Sequence, residues 1–115
     1  MKKIDAALLS LLLVLPASVA QAQFTGPSAS PQPATVAQAA DARSGSNVTL
    51  EGNVVGHLRD EYYTFRDGTG EIRVEIDRRT WNGREVGPDD RVRISGEIER
   101  DWRGRYIDVE RLDVL

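Results

Sequence analysis

Glu75 and Asp77 are the residues whose types and spacing come nearest to those of a catalytic pair. They lie two residues apart on a predicted strand and therefore share a face, and paired carboxylates can carry out acid–base chemistry. However, they alternate with apolar residues and flank Arg73 and Arg78, which is typical of a solvated, charged strand face. Ser95 lies in the middle of another predicted strand, and the sequence places no histidine beside it. We therefore expect no catalytic residues and no enzymatic activity.

Segment 67–71 (DGTGE) is similar to part of a calcium-binding loop, but it offers too few oxygen atoms. Calcium takes about six to eight oxygen ligands, whereas an Asp-Gly pair between two alternating segments is typical of a hairpin turn. His57 is the only histidine, and the chain has no cysteine. The sequence therefore predicts neither a metal site nor a cofactor.

The first 34 residues have the composition of an export signal followed by a linker. Lys2 and Lys3 precede a Leu-rich run that is too short to span a bilayer, and Ala20-Gln21-Ala22 provides the small residues at which signal peptidase cleaves. Segment 23–34 is rich in Pro, Ser, Gly, Gln and Ala, which is typical of a flexible linker. We expect a signal peptide at residues 1–22, a linker at 23–34, one domain at 35–115, and a periplasmic location.

The charge balance is mildly acidic. The chain has 15 basic and 18 acidic residues, and removal of Lys2, Lys3 and Asp5 with the signal takes them to 13 and 17, a net charge of about −4. This balance disfavours a general polyanion binder, which needs a positive field. Without cysteine, the domain must be stabilised by its apolar core, although an exported protein would meet oxidising conditions.

The remaining sequence predicts a short helix and five strands. Segment 35–43 can form two helical turns, with Thr35 as the N-cap and Val36, Ala39 and Ala40 on one face. From there on, apolar and polar residues alternate with the period of strands. The predicted strands cover residues 48–54, 62–66, 72–77, 91–99 and 107–109, with a turn at 57–60 and a connector at 78–90.

Each predicted strand has one apolar face, so the sheet must close over a core. Gly52 and Gly96 lie within the first and fourth strands, where a strand can bend sharply around a corner. Leu112 is out of phase with the fifth strand, which indicates a bulge or a strand end. We therefore predict an all-β fold, a five-stranded OB-fold Greek-key barrel with a short N-terminal helix.

In OB-folds the outer surface of the second and third strands commonly binds the ligand, and the loops form a binding rim. Trp81 and Trp102 lie near strand ends, where each would either plug the barrel or contact a ligand, and the sequence leaves both roles open. The candidate ligand-binding residues are Tyr62, Arg66, Arg73, Glu75, Asp77, Trp81 and Trp102.

Several segments resemble one family, the bacterial OB-fold (BOF) proteins, the YgiW/YdeI group of periplasmic stress-tolerance proteins. The resemblance covers essentially the whole chain after the signal and implies a periplasmic OB-fold, a role in tolerance of envelope or chemical stress, and binding of small or cationic molecules, with no established enzymatic activity. The segments that carry it are residues 24–27 (FTGP), 48–55 (VTLEGNVV), 63–70 (YTFRDGTG), 72–77 (IRVEID), 81–83 (WNG), 92–102 (VRISGEIERDW) and 107–109 (IDV).

The leading hypothesis is a non-catalytic binding protein of the envelope, whose acidic surface suits a cationic peptide, a polyamine or another small ligand. An adaptor module that contacts another envelope protein through a strand edge is the alternative. A single-stranded nucleic-acid-binding domain is disfavoured, because such domains place stacked aromatic residues in a basic groove. The face of the second and third strands instead mixes one tyrosine with arginines and acids.

Export predicts a processed N-terminus. Mass spectrometry of protein recovered from a periplasmic extract should find a chain that begins at, or within two residues of, Gln23, because Ala20 and Ala22 occupy the positions that signal peptidase reads. Cytosolic protein that retains Met1 would contradict the prediction.

Overall fold

A computed structural model describes residues 33–115, which contain two short helices and five strands. The predicted signal peptide and nearly all of the predicted linker lie outside the described residues. No helix within residues 33–115 has the length and apolar character needed to cross a membrane. The elements are α1 (Val36–Ala40), β1 (Asn47–Arg59), β2 (Tyr62–Asp67), β3 (Gly70–Glu75), α2 (Arg78–Trp81), β4 (Arg91–Asp101) and β5 (Gly104–Val114).

The five strands form a closed barrel in the order β1-β2-β3-β5-β4. Four of the five strand pairs are antiparallel. One of these four, the pair of β1 with β4, closes the barrel. Only β3 and β5 run parallel, through the pairs Val74 with Ile107 and Glu75 with Asp108. The predicted five-stranded OB barrel with a short helix before its first strand is confirmed.

Apolar residues at alternate strand positions fill the barrel. The register of β4 with β5 shifts between Ser95 and Gly96, which pair with Arg111 and Val109 and leave Glu110 between them as a bulge. This extra residue turns Leu112 inward, so of the two predicted explanations for its phase, a bulge or a strand end, the bulge is the one observed. The buried apolar residues are Val36, Ala39, Leu50, Val54, Phe65, Ile72, Val74, Ile76, Val92, Ile94, Ile98, Ile107, Val109 and Leu112.

Gly52 and Gly96 allow the barrel to close, because backbone from the next strand occupies the space of a side chain. A Cβ atom at Gly52 would collide with the carbonyl oxygen of Arg66, and one at Gly96 would collide with that of Asp108. The two predicted corner positions are therefore sites of close strand approach.

Some predicted boundaries were wrong by a few residues. β1 continues through His57 to Arg59, and the turn falls on Asp60, which adopts a left-handed backbone conformation with φ 49°. β3 ends at Glu75, because Asp77 instead begins α2 by accepting the backbone N–H of Thr80. The first helix ends at Ala40, which is exposed and does not share the buried face of Val36.

Asp67 joins α1 to the β2–β3 hairpin. Its carboxylate accepts the backbone N–H of Val36 at 2.8 Å, the backbone N–H of Thr69 at 2.7 Å and the Thr69 hydroxyl at 2.6 Å. Burial acts to raise the pKa of Asp67, but these hydrogen bonds outweigh it and hold the pKa below its ordinary value. The Asp67 carboxylate therefore has a structural role: it stabilises the hairpin turn and joins the hairpin to α1.

Close strand approach in the barrel predicts that an alanine destabilises the protein at Gly96 much more than at Gly56. Gly96→Ala should lower the free energy of unfolding by about 3 kcal/mol, because backbone blocks the new methyl group. Gly56→Ala is the matched control, because its new methyl group would have no atom within 4 Å, and it should change stability by about 1 kcal/mol at most. Urea unfolding measures both, and equal losses would contradict the proposed role of Gly96.

Candidate functional site

Two tyrosines and two arginines stack on the outer face of the barrel. The Arg73 guanidinium lies 5.1 Å from the ring centre of Tyr62 and 4.7 Å from that of Tyr106. The two rings meet edge to face at 5.6 Å, and the Arg59 guanidinium lies 5.4 Å from the Tyr62 ring centre. We call these four residues the tyrosine–arginine stack; cation–π contacts stabilise it and orient its rings.

Arg73 also holds the turn between β4 and β5. Its Nη1 and Nη2 atoms donate to the two carboxylate oxygens of Asp101 at 3.0 and 2.6 Å, and Nη2 donates to the carbonyl oxygen of Gly104 at 3.2 Å. The hydrogen bonds with Asp101 raise the pKa of Arg73, and the same contact lowers the pKa of Asp101. The Arg73 side chain is 12% exposed and that of Asp101 is 29% exposed, so water reaches this bidentate pair mainly from the Asp101 side.

Four carboxylates gather beside the stack, and we call them the acidic edge: Glu61, Glu75, Asp77 and Asp108. Glu75 and Asp108 are direct partners across the parallel β3–β5 pair, and the carbonyl oxygen of Glu61 accepts the N–H of Ile76. None of the four forms an ion pair with a side chain among residues 33–115.

Among the four carboxylates, the pKa of Glu75 is raised, whereas hydrogen bonds from the backbone N–H and then the hydroxyl of Thr80 lower the pKa of Asp77. Burial and then the charges of Asp108, Glu61 and Asp77 raise the pKa of Glu75 above its ordinary value, and Arg73 offsets only part of the rise. Burial, followed by the charges of neighbours that include Tyr62 and Glu75, raises the pKa of Tyr106 to about 12. Tyr106 is therefore a neutral hydroxyl at physiological pH.

A separate aromatic groove lies at the end of β1 and beside α2. The rings of His57 and Tyr63 stack at 4.8 Å, and Trp81 meets Tyr63 edge to face at 5.3 Å. The groove has a volume of about 340 Å³, and Arg84 contributes to its wall. Trp81 packs against the core and covers part of it.

The predicted ligand-binding residues do not form one site. Tyr62, Arg73 and Glu75 come together at the stack and the acidic edge, which Asp77 joins while capping α2. The other three are dispersed. Arg66 pairs with Glu71 at 2.6 Å on an exposed surface, Trp81 lies in the aromatic groove, and Trp102 lies in the β4–β5 turn. Trp102 is 85% exposed and therefore does not plug the barrel.

Sequence reasoning missed Arg59, Tyr106 and the partners Asp101 and Asp108. The turn predicted at 57–60 contains Arg59, so the sequence does not predict its position on the outer face of β1. Its Nε atom is buried and has no hydrogen-bond partner among residues 33–115. Tyr106 carried a usable signal, because it precedes the inward residue Ile107 and must face outward.

Residues 33–115 do not bring three metal-ligating side chains together in a metal-binding arrangement. The surface pairs that do form, such as Glu51 with Arg93 at 2.8 Å, neutralise acids elsewhere on the barrel. What distinguishes the acidic edge is that its carboxylates lie close enough together for three of them to raise the pKa of the fourth, Glu75, next to the ring of Tyr106.

The raised pKa of Glu75 predicts a pH-dependent stability. The folded state binds the Glu75 proton more tightly than the unfolded chain does, so ionised Glu75 destabilises the fold at neutral pH. Glu75→Gln should raise the melting temperature at pH 7. The difference in melting temperature between variant and parent should shrink as pH falls from the raised pKa of Glu75 to the ordinary pKa of a glutamate. Glu85→Gln, at an exposed connector position, is the control. If both variants behave alike, carboxylate crowding at Glu75 is refuted.

Comparison with known proteins assigns the chain to a family. The sequence profile described as "Bacterial OB fold (BOF) protein" matches residues 15–114. Protein YgiW of Escherichia coli (strain K12) is 38% identical over 126 aligned positions, which cover 97% of this chain and 96% of YgiW. The calcium-regulated OB-fold protein CarO of Pseudomonas aeruginosa is 40% identical over 94 positions, covering 82% of this chain and 81% of CarO.

Solved structures agree with these matches. The structure of ygiW from E. coli has a TM-score of 0.71 and 41% identity, and the alignment covers 83% of this chain and all of that chain. The p204 HINb domain has a TM-score of 0.60 at 21% identity, covering 73% of this chain and 47% of that chain, which is a likeness of fold alone. The resemblance seen in the sequence is confirmed, and the chain belongs to the bacterial OB-fold (BOF) family.

Proposed function

We propose that the protein is a periplasmic OB-fold binding protein that takes cationic ligands, such as a polyamine or a basic peptide, and contributes to envelope stress tolerance without catalysis. The observation that carries the proposal is the acidic edge, where Glu75 and Asp108 lie side by side without an ion pair among residues 33–115. The names of its relatives describe OB-fold proteins and no enzyme.

A bound cation would offset the repulsion among the carboxylates of the acidic edge. The charges of Asp108, Glu61 and Asp77 all disfavour ionised Glu75, and an ammonium group placed among them would favour the ionised form. Binding is then coupled to loss of any proton held by Glu75. Affinity should fall as pH drops through the raised pKa of Glu75, at a higher pH than an ordinary glutamate would give.

The tyrosine rings beside the acidic edge add to this selectivity. Tyr62 and Tyr106 are rings of a kind that attracts cations, and both already contact the Arg73 guanidinium. A polyamine or an extended basic peptide carries several positive charges on an apolar chain. The positive charges of such a ligand would pair with different carboxylates of the acidic edge, while its methylene groups would lie against the rings of Tyr62 and Tyr106.

An organic cation is preferred to a metal ion for this chain. The Pseudomonas aeruginosa relative is named as calcium-regulated, which describes that protein. Residues 33–115 of the present chain offer no group of three acidic or histidine side chains arranged for a metal ion. The adaptor alternative needs a free strand edge. Every barrel strand pairs with two neighbours, and the edges left open are those of β3 and β5, which pair through only two residue pairs.

Isothermal titration of a chain that begins at Gln23 tests the proposal. Spermidine and a basic peptide should bind at low salt and more weakly at physiological salt, where the Debye length is about 8 Å. The double variant Glu75→Gln/Asp108→Asn should weaken binding roughly tenfold, since two charge contacts are lost. Glu85→Gln/Asp89→Asn removes the same charge from the exposed connector and is the control.

Parallel titrations with calcium and with a single-stranded oligonucleotide separate the alternatives. Equal weakening in both double variants would show that only net charge matters and would refute the acidic edge as the site. Tight oligonucleotide binding without polyamine or peptide binding would overturn the proposed ligand class.

A further inference from the structure

The turn between β4 and β5 presents an unusual surface, which we call the hairpin tip (residues 100–105, RDWRGR). Trp102 is 85% exposed, the largest exposed fraction among the big apolar side chains of residues 33–115. The Arg103 guanidinium lies 4.5 Å from the Trp102 ring centre. An exposed tryptophan at a turn contributes nothing to the core, so its ring is available for a contact outside the barrel.

The hairpin tip is basic although the chain as a whole is acidic. Its one acid, Asp101, faces Arg73 and is neutralised by the bidentate pair. Arg100, Arg103 and Arg105 form no ion pair with any side chain among residues 33–115. Arg105 is held by its Nε–H, which donates to the carbonyl oxygen of Ala42 at 2.8 Å.

A shallow depression lies between the hairpin tip and β3. Its volume is about 570 Å³. The lining residues are Ala40, Glu71, Ile72, Arg73, Arg100, Asp101, Trp102, Gly104 and Arg105. Both acids among them are paired, Glu71 with Arg66 and Asp101 with Arg73, whereas Arg100 and Arg105 form no such pair within residues 33–115. Guanidinium groups bind phosphate oxygens with matched geometry, and tryptophan favours the boundary between a polar and an apolar phase.

We propose that the hairpin tip docks on an anionic phospholipid surface. The arginines contact lipid phosphates, and Trp102 lies at the level of the headgroups, where tryptophan is enriched in membrane proteins. Charge complementarity selects this occupant, because unpaired basic residues beside an exposed apolar ring match an interface that is both anionic and amphipathic. The proposal does not depend on the cation site.

The acidic edge does not prevent this docking. Asp108 lies four residues beyond Gly104 along β5, which corresponds to about 13 Å of strand. This separation exceeds the Debye length of about 8 Å at physiological ionic strength. Salt therefore screens much of the repulsion between Asp108 and a negative surface in contact with the tip.

Vesicle co-sedimentation of a chain that begins at Gln23 tests the proposal, because the barrel pairing and the buried core lie within residues 33–115. The protein should bind phosphatidylglycerol–phosphatidylcholine vesicles and should not bind phosphatidylcholine alone. Arg100→Gln/Arg103→Gln should weaken binding roughly 10- to 30-fold, as expected for two basic residues near an anionic surface. Arg78→Gln/Arg79→Gln removes two exposed arginines of α2 and should leave binding unchanged.

Fluorescence provides a readout specific to the tip. In a Trp81→Phe background Trp102 is the only tryptophan, and its emission should shift to shorter wavelength with anionic vesicles. Equal binding of the two arginine double variants, or unchanged Trp102 emission on bound vesicles, would overturn the proposal. Displacement of the protein from vesicles by millimolar inorganic phosphate or by an acidic peptide would also overturn it, in favour of a general anion site.

Discussion

The ion pair between Arg73 and Asp101 determines how charge is distributed over the outer surface of this barrel. Arg73 comes from β3, Asp101 from the end of β4, and the bidentate contact ties the β4–β5 turn to the middle of the sheet. The guanidinium of Arg73 also lies against the rings of Tyr62 and Tyr106. One arginine therefore orients the aromatic rings and also fixes the turn.

This pairing leaves two unbalanced regions on either side of it. Within the hairpin tip Asp101 is neutralised by Arg73, so the charges of the tip that lack an ion pair among residues 33–115 are those of its arginines. Burial and then the neighbouring carboxylates raise the pKa of Glu75, and Arg73, which pairs with Asp101, offsets only part of the rise. An acidic edge and a basic tip thus coexist on one small domain, and each suits a partner of the opposite sign.

The barrel makes this arrangement possible, and much of the barrel could be predicted. Alternation of apolar and polar residues identified the strands. The phase of Leu112 indicated a bulge or a strand end, and the structure has the bulge. Tyr62, Arg73 and Glu75 were correctly placed on one face, because residues of equal parity on a hairpin share a face. Asp108 and Tyr106 could not be added to them, since the parallel β3–β5 contact joins segments distant in sequence through only two residue pairs. Arg59 was missed because β1 continues beyond the predicted turn.

A double-mutant cycle on Arg73 and Asp101 tests the central role of this pair most directly. Urea unfolding would be measured for Arg73→Met, Asp101→Asn, the double variant and the parent chain. If the pair organises the surface, each single change leaves its partner without a counter-charge, and the double variant loses clearly less stability than the two single losses combined. Losses that simply add would show that the two side chains act independently and would contradict the account.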